Sequence, residues 1–173
     1  PLKLVIYCQD LLLKSWLLII FMLKYLRGNN WESGLMKEYW KGGNMLYPLP
    51  AVMVSCGRKD EKPNIITIAW TGTICTNPPM LYISVRPERH SYNIIKETNE
   101  FVINLVTKDL AYACDYCGVT SGREVDKFRE LGLTECELVH VKAPGIAESP
   151  VNIECKVNEI KELGSHSMFI ADV

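Results

Sequence analysis

The sequence predicts a small, mostly antiparallel β-barrel decorated with short helices. Short apolar runs, several of them rich in β-branched residues, are separated by turns containing Gly, Pro, Asn and Asp, a pattern typical of successive β-strands. Strand-like runs outnumber helical runs and the two do not alternate regularly, which argues against a doubly wound α/β sheet. The predicted strands are residues 49–57, 64–71, 80–86, 100–106, 151–160 and 167–173.

The segment VNIECKVNEI, residues 151–160, has the clearest strand pattern. Its apolar residues alternate with polar ones, which indicates an antiparallel strand with one face in water. The segment 167–173 is expected to pair with it through a turn near Gly164. The residues predicted to share the buried face are Val151, Ile153, Cys155 and Val157.

Three short helices are expected between the strands. Ser91 and Thr107 are predicted N-caps, because a hydroxyl there accepts a hydrogen bond from a free backbone N–H. Glycine commonly ends helices, and Gly118 and Gly132 stand at two of the predicted ends. The helices are predicted from Ser91 to about Thr98, from Thr107 to Gly118 and over residues 123–131.

Composition bounds the function classes. The chain has 173 residues, 48% of them hydrophobic, which is enough for one domain with a substantial core. Its net charge is −1 with mixed signs, so a general electrostatic grip on nucleic acid is not expected. Seven cysteines at no framework spacing indicate reduced thiols and a cytoplasmic protein.

The first 35 residues do not resemble the rest of the chain. Their apolar core between Lys14 and Lys24 is about half the roughly 20 residues that a membrane span needs. No small-residue cleavage site follows it, so a signal peptide is not indicated. A membrane-surface helix is an alternative. The preferred hypothesis is that residues 1–35 are translated upstream sequence or a poorly ordered leader, and that Met36 is the true start.

The domain is therefore predicted to span residues 36–173. The final segment, SMFIADV, stops while an apolar strand is still running. Because domains seldom end within a strand, we expect the domain to be truncated at its C-terminus.

Several common sites are excluded by their missing motifs. The chain has no G-x-G-x-x-G, no Walker-type loop, no H-E-x-x-H and no G-x-S-x-G. A nicotinamide nucleotide would therefore bind without a Rossmann domain. Cys114 and Cys117 form a C-x-x-C pair, but no second pair or histidine stands at metal-ligand spacing. Two semi-buried thiols are the preferred interpretation. His140 is expected at the surface, and His166 either there or at a ligand-binding opening.

The stretch SVRPERHSYNII, residues 84–95, has the strongest local signal. A predicted strand ends at a basic turn that leads into a helix. A helix N-terminus offers free amides to a phosphate, Arg89 adds a charged fork and Ser91 adds a hydroxyl. The alternative is a solvated turn with an ordinary N-cap, and the residues alone leave both open.

Three ordered blocks resemble the flavin reductase-like family, whose members bind FMN in a split β-barrel of antiparallel, Greek-key type. Together the matches run from about Trp40 to Val173, and the chain looks most similar to the flavoredoxin type. The blocks are NIITIAWTGTICTNPPMLYISVRPERHSYNIIKETNEFVINL at 64–105, SGREVDKF at 121–128 and GSHSMFIADV at 164–173.

The resemblance implies a site for FMN near a homodimer interface. Arg89 and Ser91 would hold the phosphate. Lys127 would contact the cofactor or form a stabilising pair with Asp126. His166 would lie near the face where a nicotinamide or an electron-transfer partner docks, as the one catalytic candidate. The segment expected to run along the flavin is Thr67, Ile68, Ala69, Trp70 and Thr71, and the loop beside it contains Cys75, where many relatives carry serine, and Thr76.

The expected function is an NAD(P)H-dependent FMN reductase, with NADH or NADPH as co-substrate. The alternative is a non-enzymatic FMN electron carrier that exchanges electrons with a ferredoxin-like protein. The third alternative is a membrane-associated protein in which residues 1–35 are a true part of the protein. Neither nucleic acid nor membrane is expected as a partner.

Overall fold

A computed structural model describes residues 38–173 of the chain. The predictions for the leader and for a start at Met36 lie outside these residues. Residues 38–51 form neither helix nor strand. A compact unit extends from Pro48 to Val173 and contains all the elements that follow.

Seven strands form one antiparallel sheet in the order β2-β1-β5-β8-β9-β4-β3, and β6 and β7 form a separate two-stranded ladder. The prediction of a mainly antiparallel β fold with short helices is therefore confirmed. The strands are β1 Val52–Cys56, β2 Asn64–Ile68, β3 Thr71–Thr76, β4 Pro79–Val85, β5 Glu100–Asn104, β6 Glu135–Cys136, β7 Gly145–Ile146, β8 Asn152–Glu162 and β9 Ser167–Asp172.

The sheet curls because its two edge strands are consecutive in the chain. The predicted single strand 64–71 breaks at Ala69 and Trp70, where the chain leaves the β2 edge and enters the β3 edge. Trp70 holds this corner, since its carbonyl oxygen accepts a 2.8 Å hydrogen bond from the Ser84 N–H of β4. The result is a half-barrel whose corner lies beside the start of the first helix.

Three helices lie between the strands, as predicted in number, but two of their N-caps differ from the prediction. Arg89, and not Ser91, stands at the first N-cap, and Leu110, and not Thr107, at the second. The third helix begins later than expected, after Asp126, whose carboxylate accepts from the Arg129 N–H. The helices are α1 His90–Thr98, α2 Ala111–Val119 and α3 Lys127–Leu131.

The core has two layers because β1 and β2 are buried on both faces. Val54 and Ile66 face the interior of the half-barrel, where they pack with Phe101 and Phe169. The opposite faces of the same strands carry a second cluster against α2 and α3. Burial on both faces explains why these strands lack polar alternation. The second cluster is Met53, Ile65, Leu110, Ala113, Cys114, Cys117, Phe128 and Ile146.

The hairpin formed by β8 and β9 confirms the predicted pairing of residues 151–160 with 167–173. Cys155 is fully buried, whereas Val151 is 44% exposed and precedes the strand, so its assignment to the buried face is wrong. The register shifts between Val157 and Glu159. Such a bulge ends strict alternation, and β8 extends past it to Glu162.

Candidate functional site

Two adjoining cavities lie where β2, β4 and α1 meet. The larger has a volume of about 390 Å³ and the smaller of about 220 Å³, and both are lined by Ile66, Arg86 and Arg89. Eight of the eleven predicted site residues line one cavity or the other. The eight are Thr67, Ile68, Ala69, Trp70, Arg89, Ser91, Lys127 and His166.

The turn between β4 and α1 places Arg89 between the two cavities. Proline at position 87 follows the end of β4 at Val85, and the Arg89 N–H donates to the Arg86 carbonyl at 3.0 Å. Arg86 Nε lies 2.8 Å from Glu88 Oε1 across the same turn. The turn thus presents Arg89 as the residue immediately before the helix, with extended backbone angles.

The larger cavity carries an excess of positive charge. Its lining includes two carboxylates, Glu88 and Glu124, and Glu88 is paired with Arg86. Within residues 38–173, no carboxylate lies within ion-pair distance of Arg89. The lining suits an anionic group that accepts hydrogen bonds. Its cationic side chains are Arg86, Arg89, Arg123 and Lys127.

Lys127 is the deepest of these cations, with a side chain only 2% exposed. Its ammonium donates to the carbonyl oxygens of Ile65 at 2.6 Å and Cys117 at 2.9 Å. Burial lowers the pKa of Lys127, and the nearby positive charge of Arg89 lowers it further. The ammonium therefore joins β2 to the end of α2 and adds positive charge to the cavity.

The predicted stabilising pair between Lys127 and Asp126 does not form. The Asp126 carboxylate accepts from the Arg129 N–H at 3.2 Å and lies 3.7 Å from the Lys62 ammonium. Adjacent residues at a helix start point in different directions, so Asp126 turns outward to cap α3 while Lys127 turns inward.

Ser91 lines the larger cavity from the first turn of α1. Its side chain is fully buried, and its hydroxyl accepts a 2.7 Å hydrogen bond from Asn64 Nδ2. A Cβ at Gly122 would lie 2.0 Å from Asn64 Oδ1, so a larger residue there would displace the Asn64 side chain that bonds to Ser91. The glycine of the SGREVDKF block thus lets the loop after α2 close over Asn64 beside Ser91.

His90 lines the same cavity at the first position of α1. Burial lowers the pKa of its imidazole, and the positive charges of Arg123, Arg58 and Lys127 lower it further, while Glu61 opposes them. The neutral imidazole is thus favoured while the cavity holds only these cations.

The smaller cavity is more apolar and is flanked by two parallel rings. The rings of Trp70 and His166 are 6.1 Å apart between centroids and inclined by 2°. Ser165 Oγ lies 2.9 Å from His166 Nδ1. Trp70 is 40% exposed, so the ring pair stands at an opening and not in the core. The cavity suits a flat apolar group.

The threonine hydroxyls of the predicted flavin segment have partners within the protein. Thr67 Oγ1 donates to the Cys114 carbonyl of α2, and Thr71 Oγ1 donates to the Tyr82 carbonyl at 2.7 Å. These bonds hold α2 to β2 and β3 to β4. Thr71, Cys75 and Thr76 lie on β3 and line neither cavity.

Several lining residues were not singled out from the sequence. Asn64, Arg86 and His90 all lie within the block at 64–105, but no pattern in the sequence marks them individually. Arg123 lies within the SGREVDKF block, where its charge beside Gly122 is the signal that marks it as a candidate. Its guanidinium donates to the Glu88 carbonyl at 3.1 Å, which ties the loop to the β4–α1 turn.

The remaining sequence signals fall elsewhere. Cys114 and Cys117 are both buried in α2, more deeply than the semi-buried thiols that the sequence predicts. Residues 38–173 contain no cluster of metal-ligating side chains. His140 is exposed, as predicted. None of the helices in the part of the chain that the structure describes is long and apolar enough to cross a bilayer.

Comparison with known proteins agrees with this fold. Flavoredoxin of Desulfovibrio vulgaris superimposes with a TM-score of 0.73 at 35% identity, over 79% of this chain and 73% of that one. An uncharacterized protein of Archaeoglobus fulgidus is 34% identical over 74% of this chain and 71% of its own length. The reductase component of a 4-nitrophenol monooxygenase from Rhodococcus opacus is 25% identical over 70% and 62%.

The family model described as flavin reductase like domain matches residues 44–173. This range covers every strand and helix of the compact unit. The three sequence blocks therefore belong to one continuous match, and the predicted split-barrel class is confirmed together with the resemblance. The chain is a member of the flavin reductase-like family.

Proposed function

We propose that the protein binds FMN and acts as an NAD(P)H-dependent FMN reductase. The observation that supports this most strongly is the adjoining pair of cavities, one cationic and one apolar, joined at Arg89. FMN combines a phosphate with a flat ring system, so its two ends require two such environments at a fixed distance.

The cationic cavity fits the phosphate end. Arg89 provides a guanidinium with no ion-pair partner among the described carboxylates. Lys127 adds a buried positive charge, and the Ser91 hydroxyl lies in the same lining. Charge-assisted hydrogen bonds of this kind are shorter and stronger than neutral ones.

The apolar cavity fits the ring end. Ile68, Ala69 and Trp70 line it from the β2–β3 connection, and His166 lines it from the turn before β9, with its ring parallel to that of Trp70. These residues exclude water from one face of a flat ring and fix its orientation. The bound flavin supplies the hydride and electron chemistry itself, so the site needs no catalytic acid or nucleophile from the protein.

The exposure of His166 supports a role for it in receiving the co-substrate. His166 is partly exposed at the opening of the apolar cavity and is oriented by Ser165. In our proposal a nicotinamide approaches the ring from this side, and His166 positions it. We therefore keep His166 as the residue that contacts the reacting group.

One observation favours a second candidate, a non-enzymatic FMN electron carrier. The solved structure with 35% identity is named a flavoredoxin. In that function the same cavities hold FMN, and a ferredoxin-like protein replaces the nicotinamide as donor.

We also propose that the protein is a homodimer, because the family resemblance implies one. Analytical ultracentrifugation would test this by measuring the mass of the protein in solution.

Rapid mixing of the flavin-loaded protein with NADH or NADPH distinguishes the candidates. The reductase proposal expects fast bleaching of the flavin absorbance, slowed at least tenfold in His166→Ala and unchanged in the surface variant His140→Ala. Bleaching by reduced ferredoxin alone would support the carrier instead.

A further inference from the structure

A hydrogen bond in the core joins the helix after the phosphate turn to the strand that follows His166. Tyr92 Oη of α1 lies 3.0 Å from Ser167 Oγ of β9. Tyr92 is 6% exposed and Ser167 is 2% exposed. Within residues 38–173, each hydroxyl has the other as its one hydrogen-bond partner. Because buried hydroxyls are costly when unpaired, this bond fixes the two side chains relative to each other.

The start of α1 determines where Tyr92 lies. Its backbone N–H donates to the Arg89 carbonyl at 3.0 Å, which closes the first turn of the helix. Its ring packs edge-on against Phe169 of β9, with centroids 5.4 Å apart and planes inclined by 76°. A ligand that binds Arg89 and Ser91 therefore orders the same turn that carries Tyr92.

Ser167 has the corresponding place on the other side of the bond. It directly follows His166 in the chain, and it pairs with Val85, the last residue of β4. The turn before it is closed by a 2.8 Å hydrogen bond from the Leu163 N–H to the His166 carbonyl. The backbone of His166 is thus held by this turn on one side and by Ser167 on the other.

From these contacts we infer that Tyr92 is a positioning residue, which couples a phosphate bound at Arg89 to the placement of His166. Neither Tyr92 nor Ser167 lines the two site cavities, so the coupling acts through Arg89 and His166. The inference rests on the proposed function, in which His166 positions the nicotinamide. Contacts with a remote part of a ligand are used to orient the reacting part. The phosphate of FMN therefore raises the rate of hydride transfer as well as the affinity.

Removing the bond from either side tests the coupling. Tyr92→Phe keeps the ring against Phe169 and deletes the hydroxyl, and Ser167→Ala deletes the other hydroxyl. Tyr112→Phe is the matched control, since Tyr112 is 74% exposed on α2 and lines neither cavity. Circular dichroism and thermal melting show whether each variant is folded, and either bond-deleting variant alone suffices for the test.

NMR spectra of the FMN and riboflavin complexes provide a readout that does not depend on turnover. The two ligands share the ring, so their spectra differ through the phosphate alone. In the native protein and in Tyr112→Phe, the backbone amide resonances of Ser91, His166 and Ser167 should differ between the complexes. In Tyr92→Phe and Ser167→Ala, only Ser91 should still differ. Identical His166 and Ser167 resonances in the two native complexes would overturn the coupling and leave the reductase proposal standing.

Single-turnover mixing with NADH or NADPH, with the flavin fully bound, gives the second readout. We expect FMN to be reduced about ten times faster than riboflavin, because misplaced reacting groups slow a reaction by one to two orders of magnitude. Both bond-deleting variants should lower the FMN rate to about the riboflavin rate and leave the riboflavin rate unchanged.

The outcomes separate this inference from the proposed function. Equal rates with the two flavins in the native protein would overturn the inference, and so would equal slowing of both flavins in the variants, which a merely structural role predicts. The reductase proposal would stand in both cases. If neither nucleotide reduces the bound flavin, the reductase proposal fails and the NMR comparison alone decides the coupling. If neither flavin binds, both proposals are overturned.

Discussion

The ammonium of Lys127 donates a 2.6 Å hydrogen bond to the carbonyl oxygen of Ile65, across the boundary between α3 and β2. A second bond of 2.9 Å reaches the Cys117 carbonyl at the end of α2. One buried side chain therefore links three elements that form the floor of the cationic cavity. It contributes to both the fold and the charge of the site.

Replacing Lys127 with methionine should destabilise the fold by about 1–3 kcal/mol, because two buried carbonyls lose their donor. Relief of the buried charge offsets part of that cost. Urea denaturation measures the change. Lys62→Met is the control, since the Lys62 side chain is 76% exposed, and it should shift the midpoint little. An unchanged midpoint for Lys127→Met would show that these bonds do not stabilise the protein.

Binding of a phosphate ligand should raise the pKa of His90. In the ligand-free protein, burial and the charges of Arg123, Arg58 and Lys127 keep this pKa below 6.5. A bound phosphate opposes those charges. An NMR titration should show the His90 midpoint below 6.5 without ligand and higher with FMN. No change on adding saturating FMN would place the phosphate elsewhere.

The lowered pKa of His90 also predicts how the free energy of unfolding changes with pH. Because the folded pKa of His90 is lowered, the unfolded chain binds more protons below about 6.5. The His90 contribution should therefore be present at neutral pH and decline as pH falls through 6.5 towards the folded pKa. Comparing the urea midpoints of the native protein and His90→Gln across this pH range isolates the His90 contribution. A difference between the two midpoints that does not change with pH would contradict the prediction.

The buried thiols should resist alkylation in the folded protein. Burial raises the pKa of Cys56 and Cys117 to about 11 and of Cys155 to about 12. Only the thiolate is nucleophilic, so iodoacetamide at pH 8 should leave these three unmodified while Cys136, which is partly exposed, reacts. Peptide mass spectrometry locates the adducts. Equal labelling of Cys117 and Cys136 would mean that α2 opens readily.

Local sequence patterns predict most of the strands, whereas they do not predict the corner at which the sheet curls between β2 and β3. The turn residues and β-branched runs located six of the strands. The break at Ala69 and Trp70 was missed because residues 64–71 form one run rich in β-branched residues with no Gly or Pro to mark a turn, and the change of edge depends on partners far along the chain. β6 and β7, with two residues each, are too short to give a periodic signal.

The site residues likewise divide into those that local sequence predicts and those that depend on tertiary contacts. The sequence predicts Arg89 as a site residue because a basic residue before a helix has a physical reason to bind phosphate, and Arg89 lines both cavities. Ser91 is predicted from the sequence as an N-cap, but its hydroxyl instead accepts a hydrogen bond from Asn64, which lies on β2. The orientation of Lys127 likewise depends on carbonyls of β2 and α2. Residue type predicted what could bind, while tertiary contacts decided which group each side chain meets.

Flavin binding should quench the fluorescence of Trp70, which lines the apolar cavity and stacks on His166. The chain has four tryptophans, and we expect Trp70→Phe to remove most of the decrease in tryptophan fluorescence that FMN causes. Trp40→Phe is the control, because Trp40 is 70% exposed and lines neither cavity of the site. Quenching that persists in Trp70→Phe and disappears in Trp40→Phe would contradict the placement of the ring.

The central claim is that FMN binds with its phosphate at Arg89. The most direct test is the FMN dissociation constant of Arg89→Ala, with Arg129→Ala as the control, since Arg129 is exposed on α3 outside both cavities. Loss of charged hydrogen bonds worth about 1.5–3 kcal/mol predicts FMN binding weakened roughly tenfold to a hundredfold. Riboflavin, which has no phosphate, should bind both variants equally. Unchanged FMN affinity in a folded Arg89→Ala protein would contradict the account.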